Sequence, residues 1–107
     1  MLVAREVYGY NVFPFAESMK ADNKHPVDYF KSFYADTVVN GYTAALRCGI
    51  DFFGADHVVF ATDHPFGLEK GEQWTRTTID AIMKLDISEN EREKIFALNA
   101  MKILKLK

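Results

Sequence analysis

A carboxylate and an imidazole stand side by side at Asp63-His64, directly after the apolar run His57-Val58-Val59-Phe60-Ala61-Thr62. An ionisable group at the carboxyl end of a buried parallel strand sits where α/β folds place their catalytic side chains, which makes Asp63 the first candidate. The competing use of such a residue is an Asx turn or helix cap, in which its carboxylate bonds nearby backbone amides. His57 and His64 flank the run at opposite ends, roughly 20 Å apart if extended at about 3.3 Å per residue, and cannot share a ligand. His25 falls in a polar loop and is expected to be solvated. Of the arginines, Arg47 and Arg92 are expected on solvated helix faces, and Arg76 is the one placed near the Asp63 loop. There is no H-x-H, H-E-x-x-H, G-x-S-x-G or glycine-rich phosphate loop, so no pattern for independent catalysis is complete.

The elements that must position these residues belong to a chain of 107 residues, 49% hydrophobic and 26% charged, which indicates one soluble globular unit. Thirteen basic against fifteen acidic side chains leave a net charge of −2, too little positive charge to track a nucleic-acid backbone or an anionic membrane. No apolar run approaches the roughly 20 residues of a membrane span, and no signal peptide is visible, so a cytoplasmic setting is the default expectation. The single Cys48 excludes an internal disulfide and a cysteine-rich zinc site, and is expected to be a small buried residue on a helix. Nine Phe and five Tyr fit either a well-filled small core or a piece of a larger one.

Residues 1–31 mix aromatic residues with Pro14, Pro26 and Gly9 and hold no steady period, which predicts an irregular excursion with short helical pieces. Residues 32–107 are expected to form two βα units and C-terminal helices, the whole chain making a single partial domain. Phe33 to Val39 reads as a strand bounded by Asn40-Gly41. Tyr42, Ala45, Leu46, Gly49, Ile50 and Phe53 have the spacing of one helix face, closed by a left-handed Gly54. His57 to Thr62 reads as a strand covered on both faces. Asp63-His64-Pro65-Phe66-Gly67 makes a loop. A helix over Glu72 to Lys84 presents Thr75, Thr78, Ile79, Ile82 and Met83 inward. Ser88-Glu89-Asn90-Glu91 is a capping box for a helix that carries Ile95, Phe96 and Leu98 inward. Asn99 is expected to cap a final short helix ended by Lys102, Lys105 and Lys107.

Strands joined by a helical crossover are parallel, and a parallel sheet needs cover on both faces and neighbours on both edges. Two strands do not satisfy that, so the chain reads as the end of a larger α/β protein.

Three blocks carry a family resemblance: Ser32-Phe33-Tyr34-Ala35-Asp36-Thr37; Phe52-Phe53-Gly54-Ala55-Asp56-His57 continuing through Asp63-His64-Pro65-Phe66; and Leu85-Asp86-Ile87-Ser88 through Ile95 with Asn99-Ala100. In that order and spacing, over residues 26–106, they resemble the C-terminal third of metal-dependent amidohydrolase-related proteins, in the branch of aminocarboxymuconate-semialdehyde decarboxylase and related aromatic-acid decarboxylases. The resemblance implies an α/β fold that is the last two βα units of a (β/α)₈ TIM barrel. It implies that Asp63 is the strand-eight aspartate, both metal ligand and proton-handling catalytic residue beside a divalent ion, usually zinc. It also places His64, where the family often has Tyr, and Phe66 at the substrate pocket. The family's histidine ligands have no counterpart in this sequence. The expectation is therefore a fragment of a decarboxylase or hydrolase, inactive alone, completed by an upstream chain or covered by a second copy in a homo-oligomer; the alternative is a non-catalytic self-associating module.

Overall fold

The computed structural model describes residues 25–107. Most of the irregular excursion expected over residues 1–31 lies outside the described residues. The chain divides into two compact units after Phe33. In the first, α1 (Pro26–Lys31) starts from His25, whose Nδ1 accepts the Val27 N–H at 3.3 Å while its own N–H donates to Asp28 Oδ2 at 3.2 Å. Pro26 occupies the first helical turn, where its missing N–H costs nothing. His25 is thus a half-buried helix cap rather than the solvated loop residue expected.

The second unit runs β1 (Ala35–Asp36), α2 (Thr43–Phe53), β2 (Val58–Val59), α3 (Glu72–Met83), α4 (Glu89–Glu93), a π-helical turn over Lys94–Leu98, and α5 (Asn99–Ile103). The strands pair in parallel, Ala35 opposite Val58 and Asp36 opposite Val59. That is the two-βα-unit order expected. Both strands are shorter than their composition predicts, because side chains and a helix capture the next backbone groups. After Asp36 its own Oδ1 takes the Val38 N–H at 2.9 Å and the Thr37 carbonyl takes the Val39 N–H at 2.8 Å, so the chain leaves the ladder. Before Val58, the His57 N–H bonds the Gly54 carbonyl at 3.1 Å in a 3₁₀ turn over Ala55–His57. Past Val59, the Phe60 N–H donates to the Ile95 carbonyl at 2.9 Å.

The last of these bonds explains the π-helical turn. The Asn99 N–H reaches back five residues to the Lys94 carbonyl, where α geometry would use Ile95. The Ile95 carbonyl, passed over, accepts from the end of β2. Asn99 therefore does not cap a new helix, as was expected; it lies in αR geometry inside a continuous one. Its buried side-chain amide donates to the Ala55 carbonyl at 2.7 Å and the Val58 carbonyl at 2.8 Å.

The core is Leu46 and Ile50 of α2, Ala55 and Val58 around β2, Ala81 and Ile82 of α3, Leu85, and Ile95 of the π turn. Ile82 and Ile95 are fully buried, each worth about 1.5–3 kcal/mol of transfer free energy. The buried stripe of α3 is Thr78, Ala81 and Ile82, so Ile79 and Met83, predicted inward, lie exposed beside it. On α2, Tyr42 and Ala45 are likewise exposed. Cys48 is exposed, not buried, because two residues from Leu46 and from Ile50 is about 200° around the helix. Val58 is buried, but Val59, Phe60, Ala61 and Thr62 are only half-buried, less cover than predicted. Leu98 is exposed where it was expected inward. Gly54 closes α2 as expected, its N–H on the Ile50 carbonyl and its φ positive at 82, though ψ 151 lies outside the left-handed helical region.

Candidate functional site

The loop that carries Asp63 follows β2 at the carboxyl end of the parallel pair. The Phe66 N–H donates to the Asp63 carbonyl at 2.9 Å, closing a four-residue turn around a cis His64–Pro65 bond. Asp63 takes φ 61, a conformation that Asp tolerates better than most residues. Because main-chain groups close the turn, the carboxylate is not spent on it: among the described residues no hydrogen bond or ion pair engages the exposed Asp63 side chain. The Asx-turn use weighed from the sequence is not what the fold shows.

Three supports hold the loop. The Thr37 hydroxyl donates to the Ala61 carbonyl at 2.8 Å and accepts the Ala61 N–H at 3.0 Å, two residues before Asp63. The Thr75 hydroxyl of α3 donates to the Gly71 carbonyl at 3.0 Å and lies 3.3 Å from the Thr62 hydroxyl. Gly67, at φ 93, backs onto the indole of Trp74, so closely that a Cβ there would come within 2.8 Å of the ring. The His64 ring edge lies over Gly71, where a Cβ would meet Cδ2 at 3.0 Å. Phe66 stands 66% exposed. Asp63, His64 and Phe66 therefore share one short exposed turn.

Arg76, expected near this loop, is ion-paired to Glu69 on the segment joining the turn to α3. Arg92 is not on a solvated face: its side chain is 13% exposed and donates to the Leu85 carbonyl at 3.1 Å and to Glu89 at 2.6 Å. Arg47 does lie on an exposed face, paired with Asp51 at 3.0 Å. His57 sits at the other end of β2, stacked on Tyr34 with ring centroids 4.5 Å apart. Among the described residues no three His, Cys, Asp or Glu side chains are grouped to hold a metal ion, and no helix is long and apolar enough to cross a membrane. An apolar groove of about 540 Å³ lies on the α4 side, lined by Met83, Arg92, Phe96 and Leu98 among others, and includes none of the predicted site residues. Thr37, Trp74 and Asn99 carry the loop and its strand; the sequence places Thr37 in a strand and Asn99 at a helix cap without showing the partner of either, and gives Trp74 no role.

Two βα units in parallel, with a carboxylate that no described residue engages on the loop at the strands' carboxyl end, make the chain an α/β protein piece of the kind whose sites sit at that face. Residues 6–106 match the family model described as amidohydrolase, and the chain belongs to that amidohydrolase-related family. It is similar to the gamma-resorcylate decarboxylase of Polaromonas sp. (strain JS666), at 36% identity over 95 residues, covering 82% of this chain and 27% of the relative. That likeness falls in the decarboxylase branch. The chain thus spans about a quarter of the length of this curated relative.

Proposed function

We propose that these residues are the last two βα units of a (β/α)₈ barrel enzyme that decarboxylates a small aromatic acid of the resorcylate type, with Asp63 as their contribution to a divalent-metal site. The observation that carries the reading is the exposed, unengaged carboxylate of Asp63 at the carboxyl end of β2, inside a region that matches the amidohydrolase family. A catalytic zinc ion takes three protein ligands, and the described residues group no such set, so the described residues alone do not fit the ion. What it supplies is one carboxylate able to carry a negative charge or a proton at the face where substrate binds. Phe66 offers an apolar ring to an aromatic substrate, and His64 a donor or acceptor to its carboxylate or hydroxyl groups. The similarity to a decarboxylase favours carbon dioxide release over hydrolysis. The setting is cytoplasmic, the metal zinc, and the chain by itself inactive.

The test is complementation. The part of the Polaromonas relative that this chain does not match is refolded with the 107-residue chain and zinc, and carbon dioxide release from gamma-resorcylate is measured. Activity is expected in the mixture and absent from either piece, with Asp63→Asn lowering it by about 10²–10⁴. Equal activity with Asp63→Asn, or decarboxylation by the 107-residue chain alone, would overturn the reading.

A further inference from the structure

We propose that Thr37 is the positioning residue for Asp63, its hydroxyl standing in for the peptide group that the departing β1 backbone no longer presents. The proposal deepens the reading of Asp63 given above and rests on it. β1 abandons the ladder after Asp36, since the Val38 and Val39 amides are taken by Asp36 Oδ1 and the Thr37 carbonyl. The chain leading to Asp63 would then have unpaired backbone groups on that side. A peptide in a ladder offers one donor and one acceptor; a threonine hydroxyl offers both from a single atom. Thr37 uses both on one residue, donating to the Ala61 carbonyl and accepting the Ala61 N–H, and it does so at 0% exposure, where water cannot substitute. On the other side, the Phe60 N–H is held by Ile95 and the Val58 carbonyl by Asn99. The backbone is therefore gripped from two sides up to two residues before Asp63, and among the described residues only the Thr37 grip reaches Ala61. Valine has the same branched shape without the hydroxyl, and serine has the hydroxyl without the methyl, so the two substitutions separate bonding from packing.

The experiment uses the ¹⁵N-labelled 107-residue chain and reads amide hydrogen exchange and chemical shifts by NMR. In Thr37→Val, the Ala61 amide is expected to exchange at least about tenfold faster relative to the Ile82 amide of α3, and the Thr62 to Phe66 signals to shift. Thr37→Ser should restore both towards wild type. Unchanged Ala61 exchange and loop signals in Thr37→Val would overturn the proposal, as would Thr37→Ser behaving like Thr37→Val. Should Thr37→Val not fold, the wild-type chain decides: a slowly exchanging Thr37 hydroxyl proton close to Ala61 supports the clamp, and its absence overturns it. These readouts need no activity, so a failed complementation by Asp63 and a failed clamp by Thr37 are separate results.

Discussion

At the scale of single residues, the carboxyls held below their usual range lie away from the Asp63 turn. Lys94 Nζ stands 2.7 Å from Asp56 Oδ1, and that hydrogen bond, with the charge of Lys94, holds the Asp56 carboxyl below the usual aspartate range. Glu91 is likewise held below the usual glutamate range, first by the Ser88 N–H and then by the Ser88 hydroxyl. A carboxyl whose value is lower in the folded chain stabilises above its unfolded value and stops doing so as pH falls through the folded one. Thermal stability is therefore expected to hold steady above about pH 5 and to decline below about pH 4 as both groups protonate. Lys94→Met should flatten the part due to Asp56, measured as melting temperature against pH. Both carboxyls are at the surface, so the effects are modest and weaken with salt. Gly67 is a sharper case. Gly67→Ala puts a methyl 2.8 Å from the Trp74 ring at a positive φ, and should cost about 1–3 kcal/mol in a denaturant titration.

At the scale of elements, the bonds that shape β2 on its outer side come from the last helical stretch, the π turn and the start of α5. Asn99→Leu fills similar volume but leaves the Ala55 and Val58 carbonyls without their donor. Each orphaned buried group costs about 1–3 kcal/mol, so a loss of about 2–6 kcal/mol is expected in chemical unfolding. Ser88→Ala removes one capping bond of α4 and should cost only about 1 kcal/mol. The contrast between these residues also marks what the sequence discloses. The Ser88–Glu91 box was legible because both of its bonds close within three residues. α2 and α3 were legible from their spacing, within a residue at each end. Asn99 was misread as a cap because its partners lie 44 and 41 residues away, and Thr37 was passed over because its partner lies 24 residues away. The strands were drawn too long for the same reason: apolar composition marks where a strand is possible, while distant side chains decide where its ladder stops. For the site, the position of Asp63 in a loop after a strand was readable, as was the separation of His57 from His64. That the carboxylate stays unengaged was not readable, since it depends on a main-chain bond to Phe66 closing the turn instead.

At the scale of the whole molecule, a two-stranded parallel sheet leaves each strand with one edge that no described strand covers; on β2 the Val58 carbonyl and the Phe60 N–H of that edge are taken by Asn99 and Ile95, so the demand falls chiefly on β1. Parallel pairs are found almost wholly inside larger sheets covered on both faces, and open edges invite pairing with another chain. Several apolar side chains add to that demand: Phe66 and Leu68 beside the site, and Leu104 and Leu106 near the carboxyl terminus, are each exposed. Covering such surface yields roughly 25 cal/mol per Å², so about 800 Å² of apolar area suffices for substantial association. The 107-residue chain by itself is therefore expected to self-associate, with an apparent mass that rises with concentration in sedimentation equilibrium. The part of the relative used for complementation should compete for the same edges and convert the assembly to a one-to-one complex. A chain that stays monomeric across the accessible concentration range, yet still complements activity, would mean that its edges are covered from within. A chain that forms a stable dimer indifferent to the added part would instead favour a self-contained module, and would separate the covering of these edges from the chemistry of Asp63.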